Sequence, residues 1–587
     1  MRKTKIICTL GPSTDDPRVL EQLIRNGMDV ARINFSHGSH AEHQKRIDLL
    51  KSLREKIGRP VALLMDTSGP EIRLGLFKDG KAFLKKGSTF IFTNKSVMGD
   101  DKISSVSFKD LYIHISPGQK IFMNDGLIEA KVDKVVNGDV YMTILNDGEL
   151  SDHKSINIPA ANLDIPALSQ KDIDDLIFAI KNDFDIIAAS FIRKANDIIK
   201  IKKVLEQNGC NDMLVIAKIE NKEGVENFEE ILRVSDGIMV ARGDLGVEMD
   251  AETVPSIQKI ITKKCYLSGK PVIVATQMLE SMITNPRPTR AEVSDIANAI
   301  YDGASTIMLS GETAAGRYPV EAFNMMSKIA VESERNINYW KRFATADFNM
   351  NPSIVNAISH ATCMTAMDLK ATAILTVTLS GNTARFICRF RPACPVIATT
   401  TSEKVCRQLM ISWGVLPYVV KHVYSTDEMF DQCVEKALES GLVKSGDITV
   451  ITGGMPVGTG SSTNMLKVQI VGKVILQGKG LGEGIINGKT CVAHSLEEAE
   501  ISFTNGDILV IPESNNGFLH LIKNATAVIV DDEAPNSHAV ISCVALNIPI
   551  IYGVRNATKT LRSGLLIACD MSNGQVYCAD TACVLPA

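Results

Sequence analysis

At 587 residues the chain is too long for one hydrophobic core, and roughly three or four domains are expected. Apolar residues make up 45% and charged residues 22%, the balance of an ordinary soluble enzyme, and a formal net charge of −4 excludes a general nucleic-acid field. No run of about 18 apolar residues occurs and no charged-then-apolar signal segment stands at Met1, so the expectation is a cytoplasmic protein with no membrane partner.

Eight short apolar runs recur along the first half, separated by helix-length segments: KIICTLG from Lys5, DVARINFS from Asp29, VALLMDT from Val61, DIIAASF from Asp185, LVIAKIE from Leu214, GIMVARGD from Gly237, PVIVAT from Pro271 and TIMLSGE from Thr306. Parallel neighbours need a crossover, and eight such units are the count of a closed (β/α)₈ TIM barrel, over residues 1–69 and 169–338. Helix signals agree. Thr289 with Glu292 three residues on forms a capping box, and Val293, Ile296, Ala297 and Ile300 fall on one apolar face.

The third connection is too long. Residues 70–168 hold alternating runs broken by Asn124-Asp125-Gly126 and Asn137-Gly138, the signature of hairpins, and read as an inserted small β-barrel lid over the catalytic face. Residues 339–473 read as an open α/β domain with strands AILTVT, PVIATT and DITVITGG. Its turn Ser380-Gly381-Asn382-Thr383 opens a helix, where free N–H groups suit an effector phosphate and a plain N-cap accounts for the same residues. The glycine-rich stretch 474–484 reads as a linker. Gly488-Lys489-Thr490 is no P-loop, because position 483 is Glu where that motif needs its first glycine. Residues 485–587 read as a small swivelling-type α/β domain with strands ILVI, AVIV and PIIY and with His538 at a helix start. The thirteen cysteines form no CxxC pair and read as reduced core thiols.

Chemistry is expected where the barrel strands end, because a parallel barrel gathers those tips on one rim. Two neighbouring tips carry Lys218-Ile-Glu220 and Arg242-Gly-Asp244. Two hard oxygen ligands beside an ammonium suit Mg²⁺ and a phosphorylated substrate, although charge at strand ends can also be plain surface or a simple ion pair. The other tips contribute Arg32, Asn34, Ser36 and His37, then Asp66 and Thr67, Ser190, Thr276, and finally Ser310 with Glu312.

ARINFSHG, DTSGPEIR, IAKIENKEG, MVARGDLG, ATQMLESM, NPRPTRAE and MLSGETAAG, in this order, resemble the pyruvate kinase family, over residues 1 to about 472. The resemblance implies phosphoryl transfer from phosphoenolpyruvate to ADP, giving pyruvate and ATP. It implies Glu220 and Asp244 as Mg²⁺ ligands and Lys218 against the transferred group. Arg32 and Arg73 would hold phosphate, and Gly243, Asp244 and Thr276 would border the substrate. Asn34, Ser36, Asp66 and Thr67 match a K⁺ cage; Asn34, Phe35, Ser36, His37, Arg73 and the lid's Lys154 match the nucleotide side. Thr276, Ser310 and Glu312 could relay a proton to the product carbon. Ser68 stands where the family usually has Lys, and Glu71 goes with K⁺ dependence. The family is usually a homotetramer with a phosphorylated small-molecule effector. The last domain resembles the mobile domain of phosphoenolpyruvate-using enzymes, but Glu533-Ala-Pro-Asn replaces the Gly-Gly-x-Thr lead-in, which argues against His538 as a phosphoryl carrier and for a structural or docking role. Two other readings remain: an enolate-handling Mg²⁺ barrel such as an aldolase or mutase, which needs no lid, Arg73 or Lys154, and a sensing scaffold on a dead barrel, which should have lost Lys218, Glu220 or Asp244.

Overall fold

The computed structural model describes residues 1–159, 166–346, 352–423, 425–454 and 463–578. They group into two compact units, the first comprising residues 1–350, 380–391 and 402–419, the second the remainder.

The first unit is built on eight parallel strands: β1 (Lys5–Thr9), β2 (Val30–Asn34), β3 (Ala62–Asp66), β4 (Ile186–Ala189), β5 (Leu214–Ile219), β6 (Gly237–Ala241), β7 (Val272–Ala275) and β8 (Thr306–Leu309). They close into a barrel in chain order, β8 pairing with β1. The runs are mostly apolar because both faces are buried. Alternate residues such as Ile7, Val30, Leu64, Ala188, Ile216, Met239 and Ile273 fill the interior, while Ile6, Ala31, Leu63, Ile187 and Val240 pack outward with the helices. The capping box at Thr289 forms as expected, and Ile296 and Ile300 are buried below it.

At the end of the barrel where strands begin, a pattern repeats. Asp29, Asp185 and Asp236 each stand one residue before an even-numbered strand. Each carboxylate accepts the backbone N–H of the second residue of the strand before it: Ile6 at 2.9 Å, Leu63 at 2.8 Å and Val215 at 2.9 Å. A cation completes each, Arg2 on Asp29 at 2.5 Å, Arg407 on Asp185 at 2.8 Å and Lys202 on Asp236 at 3.0 Å.

The insert after β3 is a seven-stranded sheet running from Ile72–Arg73 at one edge to Ile103–Ser105 at the other. Its edges meet through a bridge between Leu74 and Val106 and through Gly75 N–H donating to Ser105 O at 2.8 Å, which closes the small barrel. Both hairpin turns lie where the dipeptides put them. Asn137 and Gly138 have φ of 52° and 87°, the left-handed pair that a two-residue turn between right-twisted strands requires.

The second unit contains the parallel strands Ala373–Val377, Val396–Thr400 and Ile448–Gly453, and an eight-stranded sheet built from residues 473–578. The linker expected over 474–484 is instead part of that sheet. Lys473–Gln477 pairs with Gln575–Cys578, and Lys479–Leu481 with Ile550–Tyr552. The glycines there serve close approach rather than flexibility: a Cβ on Gly480 would lie 2.0 Å from Met571 O, and one on Gly478 2.6 Å from Tyr552 O. Gly488-Lys489-Thr490 lies within the strand Ile485–Val492, so it forms no phosphate loop. No helix among the described residues is long and apolar enough to cross a membrane.

Candidate active site

Polar side chains converge where the strands end. Lys218, on β5, is 8% exposed and its ammonium makes three contacts: Asp66 Oδ1 at 3.0 Å, Ser190 Oγ at 2.8 Å and Glu220 Oε1 at 2.8 Å. Burial disfavours that charge, yet Asp66, Glu220 and Asp244 together push its pKa upward. Asp66, at the tip of β3, also accepts Arg32 Nε at 2.6 Å, and Arg32 Nη1 donates to Thr9 Oγ1 at 2.9 Å. Burial alone would raise the Asp66 carboxyl, but Arg32 and Lys218 hold it below its usual range. Arg32, Asp66, Ser190 and Lys218 are therefore one buried network with no spare partner to lose.

Glu220 and Asp244 follow adjacent strands whose register pairs Ile219 with Val240. Glu220 is 1% exposed, and its Oε2 accepts Phe191 N–H at 2.5 Å. Burial, opposed by Lys218 and reinforced by Asp244, pushes Glu220 up to about 7. Asp244 is raised as well, by burial and by the carboxylates of Glu71, Asp125 and Asp66, against Lys218. Around Glu220 and Asp244 the carboxylates thus outweigh Lys218, the one ammonium that opposes both. Among the described residues no group of three His, Cys, Asp or Glu is placed to hold a metal.

β7 ends in strained backbone. Thr276 and Gln277 have φ of 66° and 52°, a conformation that is costly for a β-branched residue. Arg242 holds the turn, with Nη2 on Thr276 O at 2.6 Å and Nη1 on Asp295 Oδ2 at 2.5 Å. Thr276 Oγ1 in turn accepts Gly243 N–H at 2.9 Å. At the end of β8, Ser310 Oγ is buried without a hydrogen-bond partner. Glu312 is committed elsewhere: its carboxylate accepts Leu279 N–H at 2.9 Å and Ser310 N–H at 2.7 Å, so it shapes the loop instead of offering a free base.

On the β2 and lid side, Asn34 Oδ1 accepts Ser36 N–H at 3.1 Å, and Thr67 Oγ1 accepts Ser190 N–H at 3.0 Å. The ring of Phe35 is 2% exposed and packs 4.5 Å from His43, and its carbonyl accepts Ser68 Oγ at 2.9 Å and Lys171 Nζ at 2.6 Å. His37 is exposed; partial burial and then the charges of Arg73, Arg32, Lys171 and Lys154 push its imidazole down, which marks a cationic field at the mouth. Arg73 pairs with Glu71 at 2.5 Å. Lys171 donates to Ser68 Oγ at 2.6 Å, placing a positive charge beside the position where the expected lysine is missing. Ser380–Thr383 lie apart from this rim, at the start of a helix of seven residues, Asn382–Cys388, with Arg385 donating to Ser380 O at 3.2 Å and Asn382 Oδ1 at 3.1 Å. In the second unit both nitrogens of His538 are engaged, Nδ1 with Ser514 Oγ at 2.9 Å and Nε2 with Asn516 Oδ1 at 3.0 Å.

Ser190 and Arg242, singled out in the sequence as polar tip residues but given no role, organise the site. Each stands at a strand tip, and that position was the available signal.

Comparisons with known proteins agree with this geometry. Residues 1–323 match the model of the pyruvate kinase barrel domain, 356–469 that of the pyruvate kinase alpha/beta domain, and 503–574 that of the mobile domain of PEP-utilising enzymes. The chain is 45% identical over 579 residues to a pyruvate kinase of Sporosarcina psychrophila, covering 98% of this chain and 99% of that one. It is 44% identical to one of Geobacillus stearothermophilus, covering 98% of each. A crystal structure of a pyruvate kinase from Cryptosporidium parvum superimposes with a TM-score of 0.76 at 36% identity, over 80% of this chain and 96% of that one. The chain belongs to the pyruvate kinase family, enzymes that transfer the phosphoryl group of phosphoenolpyruvate to ADP.

Proposed function

We propose that the rim formed by β2, β3, β5, β6 and β7 carries this transfer, with Glu220 and Asp244 holding one Mg²⁺. The supporting observation is the pair of mutually repelling carboxylates on adjacent tips, with Lys218 in contact with Glu220. A hard divalent ion relieves that repulsion and, when bound, neutralises charge on the phosphoryl oxygens. Lys218 and Arg32 face the transferred group, already fixed by Asp66 and Ser190, so they need no reorganisation when charge moves. Gly243 and Thr276 border the enolate, and the strained Thr276 backbone is the cost of aiming that hydroxyl. Ser310, with its buried unpartnered hydroxyl, is the better candidate for the proton path, and Glu312 is a positioning residue. Asn34, Ser36, Asp66 and Thr67 offer oxygens to K⁺. His37, Arg73 and Lys154 face the nucleotide phosphates, Asn34, Ser36 and the Phe35 backbone lie beside them, and the lid of residues 70–168 closes over them. A phosphorylated effector at Ser380–Thr383, a homotetramer and a cytoplasmic location follow from the family alone.

A lactate-dehydrogenase-coupled assay tests the reading. Pyruvate should form only with ADP, stop on chelation of Mg²⁺ and return when Mg²⁺ is restored; turnover without ADP would point to an aldolase or mutase. Rates at fixed ionic strength should be higher in K⁺ than in Na⁺ or Tris, and equal rates would remove the K⁺ cage.

A further inference from the structure

Three of the four strand pairs of the barrel carry an aspartate at the start of the even-numbered strand. The fourth does not. The register that sets Asp29 opposite Ile6, Asp185 opposite Leu63 and Asp236 opposite Val215 sets Ser305 opposite Val272, just before β8. The cation is nevertheless there. Arg391 is 4% exposed, and its Nη2 donates to Gly303 O at 2.7 Å and Ser305 Oγ at 3.1 Å. Its Nε and Nη1 are buried with no acceptor, as are Nη2 of Arg385 and the hydroxyl of Ser412. The backbone φ of 49° at Arg391 is uncommon for a residue with a side chain.

These groups line one cavity of about 20 Å³, together with Lys270, Tyr266 and Trp413. The space exceeds what one water needs, and each unpaired group lining it can donate a hydrogen bond. Among the described residues that line it there is no carboxylate. Burial and the nearby Arg342 press the Arg391 guanidinium down to about 10, the sign expected of a cation without a counter-charge. Its partners are instead two rings, Trp413 at 4.5 Å and Tyr266 at 5.6 Å.

We infer that this cavity is an oxyanion site, taking one phosphoryl-type group on Arg391, Arg385 and Ser412 in the place of the carboxylate that the other three strand pairs supply. An anion there braces the entry to β7 and β8 against the helix Asn382–Cys388. Its source is free phosphate or the phosphate of a small monoester.

Trp413 lines the cavity and reports on it directly. In full-length protein carrying Trp340→Phe it is the sole tryptophan, since the chain has two. Titration with inorganic phosphate, against sodium chloride at equal ionic strength, should shift its emission with a saturable midpoint. Arg391→Lys keeps the charge but loses the fork, and Arg385→Gln loses one donor; each should raise the midpoint about tenfold, while circular dichroism and elution volume report intact folding. Glycerol phosphate in place of phosphate separates the sources: an equal midpoint identifies the free ion, a lower one the monoester. No emission change up to about 50 mM, or one that both folded variants reproduce unaltered, overturns the site and leaves a cavity that holds only water.

Discussion

The two ends of the barrel hold comparable amounts of buried charge, arranged in opposite ways. Where the strands begin, Asp29, Asp185 and Asp236 each have a backbone N–H and a cation, so every charge is answered locally. Where they end, Glu220 and Asp244 crowd each other, Lys218 is shared among Asp66, Ser190 and Glu220, and Thr276 sits in strained backbone. The first arrangement ties neighbouring strands together. The second keeps electrostatic tension that the proposed Mg²⁺ and substrate would release. Charge density by itself therefore does not mark an active site; charge left locally unbalanced does.

The largest effect that this difference predicts is on turnover. Lys218→Met should lower kcat by about 10²–10³-fold or more, because a preorganised cation facing the transferred group is removed. Asp66 and Glu220 lose a partner together, and a proton taken up at Glu220 limits the loss of stability. Arg407→Met should do the reverse, leaving kcat per folded molecule within about twofold and lowering the denaturation midpoint, since it strips Asp185 of its charge partner. Coupled-assay kinetics and chemical denaturation on both variants decide the matter; a catalytic loss in Arg407→Met as deep as in Lys218→Met would erase the distinction between the ends.

Much of the rim was legible because two weak signals coincide there: an apolar run whose length gives the strand, and a polar residue whose place at its end gives the face. The capping box at Thr289 was legible for the same reason, being local in sequence. The base pattern was not. Asp29 and Asp185 read only as the first residues of strand runs and Asp236 was not singled out; their shared role appears only once the register is known. The supposed linker failed on ambiguity of another kind. Glycine serves turns and close strand approach alike, and only the neighbour of Gly480, the carbonyl of Met571, tells which. That the Phe35 ring turns inward was not legible, because a motif preserves sequence neighbours without saying which of them are buried. Glu312 was placed with Thr276 and Ser310 in a proton relay, and the two backbone donors that occupy it come from turns whose geometry the sequence does not show.

A smaller effect separates the ends by pH. Asp185 is pushed up from 3.8 to about 6 by burial, against the pull of Arg407, the N–H of Leu63 and Arg54. Its folded form holds a proton more tightly than its unfolded form. The stabilising contribution of that group is therefore complete below about pH 4 and is lost as pH rises through 6. Relative to Asp185→Asn, the unsubstituted protein should lose on the order of 3 kcal/mol of stability between pH 4 and 7. Paired denaturation curves across that range measure the difference; a gap that widens in favour of the aspartate as pH rises would mean that the Arg407 pair outweighs burial.

The smallest effect tests whether the three base aspartates are equivalent. They share a hydrogen-bonding pattern but not an environment: the Asp185 side chain is fully buried, while that of Asp236 is 33% exposed and its partner Lys202 41%. Solvent screens the outer pair, and exposed pairs of this kind contribute about 0–1 kcal/mol. Asparagine at 236 keeps an oxygen for Val215 N–H, so the strand tie survives and only the screened attraction is lost. Asp236→Asn should accordingly cost less than about 1 kcal/mol, against several for Asp185→Ala, where the Leu63 N–H and Arg407 Nε lose their buried acceptor together. If salt at high concentration narrows the first loss and leaves the second unchanged, burial rather than pattern sets what each carboxylate is worth. Equal losses would instead make the shared geometry the deciding term, and with it the case for an anion beside Ser305.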